Sequence, residues 1–177
     1  HSIPFYECFT KVGQEYNIDP HWLVAVAIVE SSLDPTAVST ANALGLMQIK
    51  WPITAKHLGI TNREILFEPC ASIEAGARYL VEVSTPYRSL NNEKRIDQML
   101  AAYRMGPNAI KGLPELPTAA VDYIKKVRTN KRLIDARVDS LSNKGLSELP
   151  TAAVDYIKKV RTNKWLLDAR GDSLSNK

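Results

Sequence analysis

The chain has 177 residues, 45% of them hydrophobic and 24% charged, enough for one well-packed domain with an appendage and too ordinary a mixture for disorder. No apolar stretch approaches the roughly 20 residues of a membrane span. Three scattered histidines, at positions 1, 21 and 57, and two cysteines offer no zinc spacing, so neither a metal site nor a membrane helix is expected. The net charge of +4 is uneven: residues 1–111 hold 10 Lys and Arg against 11 Asp and Glu, and residues 112–177 hold 13 against 8. Such a basic tail suits an anionic partner, such as a cell wall, a membrane surface or nucleic acid, or simply a solvated helix face.

In chain order the pattern reads as helix nearly throughout, with no alternating run long enough for a confident strand, so the fold class is mainly α. The first helix covers about 4–16. The second opens with Asp19 as cap and Pro20 in the first turn and runs to about Ser32. From Trp22 to Val29 every residue is apolar, the mark of a helix buried on all sides. Glu30 ends that run. Leu23, Val26 and Ala27 lie seven, four and three residues before it, so its side chain continues their inward stripe. Burial and the negative end of the helix dipole would both raise its pKa, the environment that general acids of glycosidases use. A Glu in a last helical turn is more often solvated, and this segment alone leaves both readings open.

The stretch LDPTAVSTANALGLMQI carries Pro35, Gly45 and small polar residues and reads as a loop. Two short helices are expected near 52–58 and 61–66, a longer one over 69–83 and another over 92–104, the last two packing on the Trp22 helix. Cys8 and Cys70 each fall at a helix start or edge, where a bridge is easily placed, although two unpaired core thiols also fit. A disulfide would stabilise the fold by roughly 3 to 4.5 kcal/mol on the chain-entropy model and imply an oxidising compartment, the periplasm or the exterior.

The tail is a tandem duplication. Residues 112–144 and 145–177 differ at four of 33 positions: Pro114 and Ser147, Arg132 and Trp165, Ile134 and Leu167, Val138 and Gly171. Each copy holds one amphipathic helix, about 118–137 and 151–170. A 33-residue period matches ankyrin repeats in length, but the signature is missing and two copies make no solenoid. The expected organisation is one domain over 1–144 followed by a duplicate of its closing helix over 145–177. Both copies carry the same apolar positions (Leu116, Ala120, Tyr123 and Val127 against Leu149, Ala153, Tyr156 and Val160), so they would compete for one groove, and a helix-swapped dimer is one outcome.

VESS, GLMQI and AAYRMGP follow one another in an order and spacing that resemble the lytic transglycosylases, in particular the soluble, goose-lysozyme-like family and its small members that accompany secretion systems and pili. The resemblance covers about residues 5–130 and extends to the helix start EPCASIEAGARYL. It implies a lysozyme-like helical domain acting on peptidoglycan strands in the periplasm or outside the cell, with no cofactor and no nucleic-acid partner. Carried over by position, Glu30 becomes the catalytic acid and Ser31 its neighbour in a Glu-Ser pair. Gly45, Leu46, Met47 and Gln48 become the wall along which the sugar chain lies. Gly45 would permit close approach, Met47 would offer an adaptable apolar contact, and Gln48 a donor and an acceptor. Tyr103 would reach the same cleft, and a Tyr on the closing helix maps to Tyr123, or to its duplicate Tyr156. Arg104 stands where the family usually has Asn.

Ordinary glycoside hydrolysis needs two carboxylates. Between Glu30 and Gln48 the other acid is Asp34, placed just before Pro35, where it shapes a loop. The resemblance accordingly implies that Glu30 serves as acid and then as base, cleaving the bond between N-acetylmuramic acid and N-acetylglucosamine with closure of a 1,6-anhydro ring. A lysozyme-type hydrolase using Asp34, Glu68 or Asp97 as second acid is the alternative. A wall-binding or secretion-assembly protein with a degenerate site is another.

Overall fold

The computed structural model describes residues 3–143, so the duplicated segment 145–177, with Tyr156 and Trp165, lies outside the described residues. Seven α-helices follow in order: α1 Tyr6–Tyr16, α2 Pro20–Ser31, α3 Ile53–His57, α4 Pro69–Ser84, α5 Asn92–Met105, α6 Pro107–Ile110 and α7 Thr118–Asn143. Short 3-10 turns at Arg63–Phe67 and Thr85–Tyr87 flank α4. Two two-residue strands, β1 Ala43–Leu44 and β2 Ile49–Lys50, pair antiparallel with Ala43 opposite Lys50. The chain is mainly helical, in line with the sequence pattern. The hairpin is the departure: two residues per strand are too few to establish an alternation.

Helix starts follow local chemistry. The Asp19 side chain accepts from the His21 backbone N–H at 2.9 Å and Pro20 occupies the first turn of α2. Glu68, one of the acids considered as a second catalytic group, caps α4 by accepting from the Ala71 N–H. Asn91 caps α5 through the Lys94 N–H. Helix α2 is central: its residues from Pro20 to Ala27 are all buried, between α1 on one side and α7 on the other. Met99, Leu100 and Ile96 of α5 and Ile73, Ala77 and Leu80 of α4 complete the core around it. Cys8 of α1 and Cys70 of α4 are joined in a disulfide across a separation of 62 residues. No helix of the described residues is long and apolar enough to cross a membrane.

Helix α7 is held by packing and by charge. Ala120, Ile124, Val127, Ile134 and Val138 form its buried stripe. Arg128 donates to Asp97 of α5 at 2.7 and 2.9 Å, which commits Asp97 to a structural ion pair. The Lys131 ammonium, 3% exposed, contacts Asp135 at 2.6 Å and Asp19 at 3.4 Å, and Asp135 also bonds His21. Burial alone would raise the Asp135 pKa, but the His21 hydrogen bond and the Lys131 charge hold its carboxyl below the ordinary value. Asp19, His21 and Asp135 bring three potential ligand atoms within 4.8 Å of one another, yet the Lys131 cation is bonded to both carboxylates, which makes the cluster an ion-pair network. Lys131 and Arg128 also lie over the Trp22 ring, at 5.1 and 5.7 Å from its centroid.

Removing one member of a buried network leaves uncompensated charge, at a cost of about 3 kcal/mol or more. Lys131→Met is expected to lower unfolding free energy in urea by that amount, whereas Lys125→Met, exposed on the same helix, should change it by less than about 0.5 kcal/mol.

Candidate active site

A cleft of about 620 Å³ opens between the ends of α2 and α5, the hairpin and α7. Glu30, Gln48, Tyr103 and Tyr123 all line it. Glu30 occupies the next-to-last position of α2, just before Ser32 and Leu33 turn the chain at φ 54° and 62°. Its inward stripe carries it to the cleft floor, where it is mostly covered. Desolvation raises its pKa from an ordinary 4.5 to about 7, against the opposing pull of Arg104, Tyr123 and Lys50. The Tyr123 hydroxyl is buried and turned toward Glu30 without closing a standard hydrogen bond to it. Burial, reinforced by the Glu30 charge, pushes the phenols of Tyr103 and Tyr123 well above their ordinary pKa, so both stay neutral.

The GLMQ turn takes a different role from the one its sequence suggests. Gly45 is buried, and Leu46 and Met47 are 0% exposed; none of the three lines the cleft. Gly45 does permit a close approach, but to protein: at φ 76°, a Cβ there would collide with the Leu66 carbonyl. The Met47 side chain packs on Gly76 of α4, whose missing Cβ makes room for it. Met47 is therefore a core residue and not a contact for a sugar face. Three helices bind this turn. The Ser31 hydroxyl of α2 is shared between the Leu46 carbonyl at 2.8 Å and the Ala27 carbonyl at 3.0 Å. Ser72 of α4 accepts from the Met47 N–H at 3.2 Å. The Tyr103 hydroxyl of α5 donates to the Met47 carbonyl at 2.5 Å.

Ser31 is thus a positioning residue that ties the end of the Glu30 helix to the turn, and it does not line the cleft. Tyr103 lines the cleft with its ring, stacked at a tilt on Tyr79 with centroids 5.7 Å apart, while its hydroxyl is spent on the turn. Gln48 stands at the cleft edge with φ 53°, and its amide nitrogen donates to the carbonyls of Gly45 at 3.0 Å and Ala37 at 3.2 Å. What it can offer a sugar is its carbonyl oxygen, not the donor and acceptor pair expected from its side chain.

The acids weighed as second carboxylates are all placed elsewhere. Asp34 is exposed and accepts from the Thr36 N–H and hydroxyl, which holds its carboxyl below the ordinary range. Glu68 caps α4 and Asp97 pairs with Arg128. The carboxylate that does share the cleft is Asp122, overlooked in the sequence, together with Lys50, Tyr79 and Lys126. A signal for it existed: Ala119, Asp122, Tyr123 and Lys126 recur at helical spacing and form one face of α7, all of it lining the cleft.

The family model described as the transglycosylase SLT domain matches residues 7–115. A membrane-bound lytic murein transglycosylase C from Salmonella arizonae is 32% identical over 109 residues, covering 56% of this chain and 30% of that protein. A transglycosylase from Enterobacteria phage PRD1 is 35% identical over 107 residues, covering 60% and 37%. The chain thus spans about a third of the length of these relatives. Among solved structures, the 70 kDa soluble lytic transglycosylase of Escherichia coli superposes with a TM-score of 0.53 at 20% identity, covering 93% of this chain and 26% of that one, a likeness of fold.

The pKa of Glu30 has a consequence for stability. Between pH 4.5, its ordinary value, and about 7 the folded chain holds a proton that the unfolded chain has released, so stability falls as pH rises through that window. At about 1.4 kcal/mol per unit the loss is up to about 3 kcal/mol. Glu30→Gln, which cannot ionise, is expected to match the wild type near pH 4 and to exceed it by up to that amount above pH 8. Equal denaturation curves at both pH values would mean that Glu30 is solvated in the folded state.

Proposed function

Because the chain belongs to the transglycosylase SLT domain family, we propose that it is a peptidoglycan lytic transglycosylase in which Glu30 acts first as acid and then as base. The fold is the mainly helical, lysozyme-like SLT type. The observation that carries the catalytic reading is the Glu30 carboxyl itself, desolvated to a pKa of about 7 in a cleft of about 620 Å³.

Protonated Glu30 gives its proton to the glycosidic oxygen between N-acetylmuramic acid and N-acetylglucosamine as the C1–O bond breaks. The 2-acetamido oxygen of the substrate supports C1 from the opposite face. Ionised Glu30 then removes the C6 hydroxyl proton, and O6 closes on C1 to form the 1,6-anhydro ring. Glu30 ends protonated again and no water is consumed. The exposed cations Lys50 and Arg104 favour the ionised form in the second half, and burial favours the protonated form in the first. The 112–143 segment supplies the closing helix with Tyr123, completing a domain over 1–144, and 145–177 is its duplicate. The Cys8–Cys70 disulfide suits a place of action outside the cytoplasm.

One observation favours a second reading. Asp122 gives the cleft a second carboxylate, which a hydrolase would use to activate water. Mass spectrometry of muropeptides released from purified peptidoglycan separates the two. Anhydro-ended products that disappear in Glu30→Gln and persist in Asp122→Asn are expected, with loss of rate as pH rises past about 7. Glu30→Gln should cost about a hundredfold or more. Products with free reducing ends that vanish in Asp122→Asn would establish the hydrolase.

A further inference from the structure

The seat of α7 against α2 and α5 is specified by a short set of side chains. Ala120, Ile124 and Val127 fill its apolar floor, Arg128 reaches Asp97, Lys131 reaches Asp19, and Asp135 reaches His21. The segment 145–177 carries every one of them again at the same spacing, as Ala153, Ile157, Val160, Arg161, Lys164 and Asp168. The positions at which the two copies differ fall mostly where the seat is undemanding. Pro114 and Arg132 are exposed, and the change from Ile134 to Leu167 keeps size and apolar character. Val138 is the exception: it is buried near the end of α7, and Gly171 in its place costs the second copy both packing and helix propensity.

We infer that the groove formed by α2 and α5 accepts residues 151–176 of the same chain in place of α7. The closing helix is then exchangeable, and Asp155, Tyr156 and Lys159 complete the cleft where Asp122, Tyr123 and Lys126 stand with the first copy seated. The chain permits the exchange without any crossing, because each copy is entered through the same Lys-Gly-Leu step, at 111–113 and at 144–146. With the second copy seated, 112–144 becomes a 33-residue insertion whose two ends meet at one point, and the cost of closing it grows only with the logarithm of its length. That closure and the missing side chain at Gly171 handicap the second copy, so the first holds the groove while it is intact. A lesion smaller than the handicap, such as loss of Lys131, leaves the first copy in place. A lesion that exceeds it transfers the groove to the second. Another chain carries the same segment, but the tethered copy is present at a higher effective concentration and wins.

The test uses the full chain with paired lesions that place carboxylates in the apolar stripe. These are Ile124→Asp/Val127→Asp in the first copy, Ile157→Asp/Val160→Asp in the second, and all four changes together. Urea unfolding followed by far-UV circular dichroism is read beside release of muropeptides from purified peptidoglycan. The second-copy pair is expected to leave both as in the wild type. The first-copy pair should keep one cooperative transition, at a lower midpoint, and cleave within about tenfold of the wild type, whereas the combined variant should lose the transition and about a thousandfold or more of the rate. Such non-additivity arises only if either copy can fill the groove. A first-copy pair as damaged as the combined variant would overturn the inference. So would a first-copy pair that folds only as a dimer by light scattering, because the segment in the groove would then come from another chain. Folded wild type without cleavage would refute the enzyme reading alone, and the unfolding comparison would still decide the exchange.

Discussion

The Glu30 carboxylate is carried to its place by a helix with no solvent face. Eight apolar residues, Trp22 to Val29, precede it, and those from Trp22 to Ala27 are essentially inaccessible to water. A carboxylate at the end of such a helix loses hydration on most sides, and its charged form is disfavoured before any neighbouring group acts. The macrodipole adds to this, since a negative charge at a helix C-terminus is unfavourable. What keeps Glu30 from being only a burden on the fold is its position at the cleft floor, with Arg104 and Lys50 within electrostatic reach. The result is a group poised between its two protonation states near neutrality.

That poise requires the helix end to stay fixed, and the short turn after β1 fixes it. The backbones of Leu46 and Met47 are gripped by side-chain hydroxyls from three helices: Ser31 of α2 and Tyr103 of α5 donate to their carbonyls, and Ser72 of α4 accepts from the Met47 N–H. The turn thereby joins the acid-bearing helix to the two helices packed behind it. Gly45 with φ 76° lets the chain pass beneath the Leu66 carbonyl, and Gly76 leaves space for the Met47 side chain. Helix α7 closes the arrangement from the other side. Its ion pairs lie near the start of α2, and its Tyr123 lies at the end of α2 beside Glu30.

Much of this was legible in the sequence because it depends on local rules. The Asp19-Pro20 start and the apolar run of α2 predict both the helix and the direction of Glu30. The motif that marks the family also predicts that residues 45–48 matter. How they matter was not legible, since the same GLMQ pattern fits a turn facing a ligand and a turn facing three helices. Only tertiary packing distinguishes them, and it places Met47 in the core. Asp122 was missed for a related reason. An exposed Asp on an amphipathic helix usually faces solvent, and nothing local to α7 says that the solvent beside it is the cleft. The hairpin, with two residues per strand, lies below the length at which alternation is a signal.

The proton on Glu30 can be observed directly. Titration of the side-chain carboxyl carbons by NMR in protein labelled with 13C-glutamate, with Glu30→Gln supplying the assignment, measures the quantity on which catalysis by a single carboxyl depends. A Glu30 midpoint near 7 is predicted from its desolvation. A midpoint near 4.5, the ordinary value, would mean that the carboxylate is hydrated and ionised at neutral pH, and a single-acid mechanism at this site would be contradicted.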